Sequence, residues 1–142
     1  MNGDFDFVVC ADILEHLRDP DVLLRHIRSK ISRGGKLIAS LPNSGNIYFR
    51  LNVLAGRFPA DERGLFDRTH LHFYMWDGWQ GLLKRNGFRI TTVKPTVIPF
   101  SLAWPRQPGL GAAMESLYSL AARAWRTLFA YQFAIVAEVE ST

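Results

Sequence analysis

The chain has a single cysteine, Cys10, among 142 residues, which excludes an intrachain disulfide and any zinc site built on paired cysteines. A reducing, cytoplasmic setting is the expectation that fits this usage. No apolar run reaches the roughly 18 residues of a membrane-spanning helix. Even between Gly109 and Val139, where alanine, leucine and aromatics concentrate, Glu115, Arg123 and Arg126 interrupt the pattern. The segment Met1-Asn2-Gly3-Asp4 has neither the basic nor the apolar stretch of a secretory signal. Cations exceed anions, 17 Lys and Arg against 13 Asp and Glu for a net +4, but they are scattered singly and in pairs. That distribution reads as a solvated surface, and no nucleic-acid partner is expected. Repeats and low-complexity segments are absent.

What is present is an ordinary globular composition, 48% hydrophobic and 21% charged, long enough to bury one core. One domain over residues 1–142 is expected. Phe5 to Cys10 is an apolar run broken only by Asp6, the signature of a strand covered on both faces. Asp19-Pro20-Asp21 then reads as a helix start, with Asp19 as cap and Pro20 at the first helical position. Val22, Leu23, Ile27 and Ile31 carry the helical period to about Ser32, and Gly34-Gly35 is read as its stop. Lys36 to Leu41 is a second short strand, ended by Pro42-Asn43-Ser44-Gly45, which completes a parallel βαβ unit.

Further helices are expected at Asn46 to Leu54 and at Asp77 to Asn86, the latter capped by Asp77. Phe88 to Lys94 alternates as a strand. Prolines 95, 99, 105 and 108 mark an extended crossover. A long amphipathic helix from Leu110 to Leu128 docks on the sheet or, with Trp104 and Trp125 near its ends, lies on a membrane surface. A last strand from Ala130 to Glu140 closes the order.

The first strand runs directly into Asp12, Glu15 and His16, spaced so that one helical turn brings them together. In open α/β sheets ligands bind at the carboxyl ends of strands, where these residues stand. Glu15 and His16, with His70 or His72 from a later loop, form a donor set for a divalent metal, since carboxylate plus imidazole is ordinary ligation. Equally, Glu15 and His16 would brace the following helix through backbone, Arg18 or Arg25. His70 and His72 are two apart and project to one side of an extended segment. A histidine is suited to removing a proton from a hydroxyl at neutral pH, and His70 is the candidate base; a hydrogen bond tying the loop to the sheet edge is the structural alternative. Tyr48, Phe49, Phe58, Phe66, Phe73, Tyr74, Trp76 and Trp79 concentrate aromatics between the second and third strands, where most are read as core and some as a substrate lid.

Phe5 to Pro20, Ser32 to Ile38, Leu41-Pro42-Asn43, Asp67 to Phe73 and Asn86-Gly87-Phe88, taken in that order, resemble the C-terminal half of a class I S-adenosylmethionine-dependent methyltransferase of the ubiquinone-biosynthesis O-methyltransferase-like branch. The resemblance covers roughly residues 4 to 95. It implies an α/β, partial Rossmann-like sheet made of the family's fourth to seventh strands, the last antiparallel beside the sixth. It implies S-adenosylmethionine as cofactor, bordered by Ala11 and Asp12, and a small molecule, lipid precursor or glycan as acceptor. Metal-assisted relatives pair carboxylate with histidine as Glu15 and His16 do. The family's G-x-G-x-G cofactor loop has no counterpart in the sequence, so weak cofactor binding by the chain alone is expected. A homo-oligomer, or pairing with a missing N-terminal half through the edge opened at Phe5, is expected in consequence.

Overall fold

The computed structural model describes residues 5–98 and 108–140. Its elements are β1 (Phe5–Ala11), a 3-10 turn (Leu14–His16), α1 (Pro20–Lys30), β2 (Ile31–Pro42), α2 (Ile47–Leu54), α3 (Trp76–Arg85), β3 (Phe88–Thr96), α4 (Pro108–Ala124), α5 (Arg126–Phe129) and β4 (Gln132–Val139). The strands make one four-stranded sheet in the order β1-β2-β4-β3. β1 and β2 are parallel, in register from Phe7 opposite Lys36 to Ala11 opposite Ser40. β4 is antiparallel to both β2 and β3, so the last strand lies beside the third as expected and is also inserted between the third and the second.

α1 starts as its sequence dictates: the Asp19 carboxylate accepts from the Val22 N–H at 3.2 Å, and Pro20 occupies the first turn. Its buried face is Pro20, Leu24 and Ile27, while Val22 of the anticipated stripe is exposed. α1 gives way directly to β2 after Lys30, and Gly34-Gly35 lies inside that strand, not at a helix stop. There the register with β1 slips by a bulge. Gly34 takes φ +83°, and a Cβ on Gly35 would meet the Phe5 and Asp6 carbonyls at 3.0 Å, so the bulge requires glycine at both positions.

Further boundaries differ from expectation. Met75, not Asp77, precedes α3, and no side chain caps it. The long C-terminal helix breaks at Trp125 (φ −140°) into α4 and the short α5. Pro95 lies within β3 and Pro108 opens α4; Pro99, Trp104 and Pro105 lie outside the described residues.

The main core gathers Leu24 and Ile27 of α1, Leu37, Ala39 and Leu41 of β2, Trp79, Leu82 and Leu83 of α3, and Phe133, Ile135 and Ala137 of β4. Trp79 is fully buried, and its indole N–H donates to the Pro42 carbonyl at 2.8 Å. Arg85 at the end of α3 holds Asp21 of α1 through paired bonds of 2.7 and 2.6 Å, and Asn86 adds a third bond to Asp21 at 2.7 Å. β1 corrects the expectation of burial on both faces. Val8 and Cys10 turn toward the core, whereas Phe5, Phe7 and Val9 are 54%, 62% and 61% exposed. Their alternation follows the period of two, and β1 is an edge strand. Among the described residues no helix is long and apolar enough to cross a membrane.

Candidate functional site

Beyond Ala11, the last residue of β1, the chain turns sharply: Asp12 has φ +50°, the one non-glycine residue with positive φ among those described. A short polar side chain tolerates this region when it is locally bonded. The Asp12 N–H donates to the Ser40 hydroxyl at 2.8 Å, and Asp12 Oδ1 accepts from Ser40 Oγ and from Gln132 Nε2, each at 2.9 Å. The ends of β1, β2 and β4 are thereby joined at one carboxylate. Asp12 is turned to this group and stands apart from the cluster that Glu15 and His16 enter.

The next turn, Leu14–His16, is 3-10 and not α, with the His16 N–H bonded to the Ile13 carbonyl at 3.1 Å. The tighter winding buries Glu15 and leaves His16 half-buried. A later loop closes over the pair. Leu71 and His72 both donate backbone N–H groups to the Glu15 carbonyl, at 2.8 and 3.2 Å. That loop is anchored by a second, aromatic core in which Phe49 of α2 stacks on Phe66 at 4.4 Å between ring centroids. Phe66 fixes the start of the segment Asp67 to His70, and the Asp61–Asp67 bridge closes its base. Gly64 is needed at the turn: it has φ +90°, and a Cβ would meet Tyr131 Oη at 2.6 Å.

The outcome is a compact donor set. One ligating atom from each of Glu15, His16 and His70 lies within 4.8 Å of the others. His70 Nε2 stands 4.0 Å from Glu15 Oε1, with side chains 7% and 1% exposed, and the His16 and His70 rings meet edge to face at 4.7 Å. Glu15 Oε2 is buried with no hydrogen-bond partner among the described residues. Burial raises the Glu15 carboxyl above its ordinary range, aided by nearby Asp12. Burial, then His16 beside it, lowers the basicity of His70. Both groups are pushed toward their neutral forms, the state in which an imidazole has a lone pair to offer.

His72 does not enter this cluster. Its Nε2 donates to the Leu17 carbonyl at 2.8 Å and its ring stacks on Tyr74 at 5.3 Å, the structural role weighed for it. Of the aromatics, Trp76, Trp79, Phe49 and Phe66 are core, while Tyr48 and Phe58 are more than half-exposed or nearly so. Ser40 and Gln132 carry no signal in the sequence beyond their place in strands. Asn43, expected in the turn that ends the second strand, and Asn46, expected at the start of a helix, are fully buried and reach the Ala130 carbonyl, each at 2.9 Å, tying the end of β2 to the entry of β4.

The profile of the family described as "Methyltransferase domain" matches residues 1–93. The chain belongs to this methyltransferase-domain family. The class I methyltransferase resemblance is thereby shown, and the mixed four-stranded sheet with flanking helices is the α/β, Rossmann-like fold that was expected. Among curated relatives, the ubiquinone biosynthesis O-methyltransferase of Xanthomonas euvesicatoria pv. vesicatoria is 38% identical over 58 residues, 41% of this chain and 24% of that protein. The counterpart from Xanthomonas oryzae pv. oryzae is 36% identical over the same length. The match spans about a quarter of these relatives. Solved structures agree on the fold. A SAM-dependent methyltransferase from Methanosarcina mazei has a TM-score of 0.59 at 13% identity, covering 99% of this chain and 62% of that one. One from Archaeoglobus fulgidus has a TM-score of 0.56 at 20% identity, covering 96% and 60%.

Proposed function

We propose that this methyltransferase-domain chain takes part in S-adenosylmethionine-dependent O-methylation of a small molecule, a lipid precursor or a glycan. The observation that carries the reading is the gathering of Glu15, His16 and His70 just beyond the strand end that Asp12 marks, inside the segment that the family profile matches. Ala11 and Asp12 border the cofactor, whose sulfonium supplies an already activated methyl group. Ser40 and Gln132 hold Asp12 in place beforehand, so its orientation costs nothing at the moment of binding. His70 Nε2 accepts the proton that the acceptor hydroxyl gives up as its oxygen takes the methyl group. Burial keeps that imidazole neutral and ready to do so.

The same residues fit a divalent cation. Glu15, His16 and His70 offer one carboxylate and two imidazoles, and the orphaned Glu15 Oε2 is the kind of buried oxygen that an ion would satisfy. Such an ion would supply Lewis acidity at the acceptor oxygen. With an ion in place His70 is a ligand, not a base.

A second reading is favoured by the open edge of β1, where Phe5, Phe7 and Val9 present an apolar face. In it the chain is a non-catalytic half-domain that pairs with a second copy or with a complementary N-terminal half. Calorimetric titration with S-adenosylmethionine and its demethylated product, run alongside sedimentation, separates the two. Heat at micromolar to millimolar ligand supports the enzyme; no heat at millimolar ligand from a stable self-associated species supports the half-domain and overturns binding by this chain alone.

A further inference from the structure

The loop opposite His16 holds a relay that neither the donor set nor the cofactor wall accounts for. His16 Nδ1 lies 3.2 Å from the Thr69 carbonyl oxygen and 3.0 Å from the Thr69 hydroxyl. That hydroxyl in turn lies 2.6 Å from Asp67 Oδ1, which also accepts the Thr69 N–H at 2.8 Å. The directions follow from what each group can do. A carbonyl only accepts, so Nδ1 facing it must bear a hydrogen. Asp67, a carboxylate at the surface, is ionised at neutral pH and has no hydrogen to give. The single Thr69 hydrogen therefore points to Asp67, leaving the hydroxyl oxygen to accept from His16. Both contacts of Nδ1 demand the same proton position, and Nε2 is left bare.

We propose that Asp67 and Thr69 are positioning residues that lock His16 in the Nδ1–H tautomer, so that Nε2 is the nitrogen it brings to the Glu15–His70 cluster. Carboxylate and hydroxyl groups that hold the far nitrogen of a ligating imidazole fix both its tautomer and its orientation. The inference rests on the metal reading for its purpose, but not for its geometry.

Nitrogen-15 NMR of the full chain with labelled histidine, above pH 7, reads the tautomer directly. Wild-type His16 is expected to carry its proton on Nδ1. Asp67→Ala frees the Thr69 hydroxyl to turn its hydrogen toward Nδ1, and Thr69→Val removes the hydroxyl; each leaves only the longer 3.2 Å contact to the Thr69 carbonyl holding the Nδ1 proton and should give a measurable share of the Nε2–H tautomer. Asp67→Asn and Thr69→Ser keep an acceptor and a hydroxyl, and should restore the wild-type pattern. In calorimetric titration with Mn²⁺, the first two variants should bind about 10- to 100-fold more weakly than wild type and the conservative pair close to it. A proton on Nε2 in the wild type, or an unchanged tautomer in both disruptive variants, would overturn the proposal. A wild-type chain with the Nδ1–H tautomer and no Mn²⁺ binding would support the relay and sink the metal reading alone.

Discussion

Glu15 and His70 face one another across 4.0 Å with both side chains largely buried, one from the turn after β1 and the other from the loop before α3. Neither makes a full ion pair, and Glu15 Oε2 is left without a partner among the described residues. A buried carboxylate in this position costs the fold stability and is retained where function uses it.

Glu15→Gln should therefore stabilise the protein, by about 1 kcal/mol on the scale of a buried unsatisfied polar group. Urea unfolding at pH 7 measures it. The same variant should lose Mn²⁺ binding in calorimetry, so that stability and ligation move in opposite directions. A destabilised Glu15→Gln that still binds Mn²⁺ would refute the assignment.

His70 sets a pH dependence of definite sign. Its basicity is lowered on folding, so below its ordinary value of 6.5 the unfolded chain takes up the proton first and stability falls as pH drops. Glu15 acts oppositely: its carboxyl is raised, and stability falls as pH rises above the ordinary 4.5. The His70 contribution to the unfolding midpoint should thus decline on the acid side between pH 8 and 5, against an opposing contribution from Glu15. In His70→Gln the profile should lack that acid-side loss relative to wild type, and an unchanged profile would show that His70 does not contribute it.

Asp21 contributes at a lower pH. The Arg85 guanidinium bound to it, then Asn86, hold its carboxyl far below the ordinary carboxylate range. The stabilisation is complete above the unfolded carboxyl value near 3.9 and is lost as pH falls below it. Because Arg85 is half-exposed, screening limits the effect to about 1 kcal/mol. Asp21→Asn should cost that amount at pH 7 and progressively less as pH falls below about 4 towards the depressed folded-state value, by chemical denaturation at each pH.

Trp79→Phe keeps most of the buried ring but strands the Pro42 carbonyl, which accepts the indole N–H at 2.8 Å. A loss of about 1–3 kcal/mol is expected from one unsatisfied buried acceptor. Thermal unfolding tests it, and a neutral result would mean that water reaches that carbonyl.

Much of this was legible in the chain because local chemistry and tertiary structure agree there. Asp19-Pro20 starts a helix by its own hydrogen bonding, and Phe133, Ile135 and Ala137 alternate into the core as written. The failures share a physical cause. Gly34-Gly35 looks like a helix stop, but the close approach of the β1 backbone turns it into a bulge. Phe5, Phe7 and Val9 read as buried because hydrophobicity reports what a strand can bury, not whether a neighbour is present. In the site, Glu15, His16 and His70 were visible from their side-chain chemistry. Asp12 was grouped with them by spacing, yet Ser40 and Gln132 draw it away. Those two, like Asp67 and Thr69, work through bonds spanning separate elements or a single turn geometry, which residue type alone does not announce.

The place of β4 has a consequence for how the protein comes into being. β3 is hydrogen-bonded in the sheet only to β4, and β2 reaches β3 only through it. During synthesis β1, α1 and β2 can assemble early from contacts close in sequence, but β3 emerges with only α3 beside it and no strand to pair with. Its backbone edge must wait unpaired until Gln132–Val139 is threaded between two strands already made. Closure by such distant pairings is slow, and the waiting species is the one most open to aggregation or to capture by a chaperone.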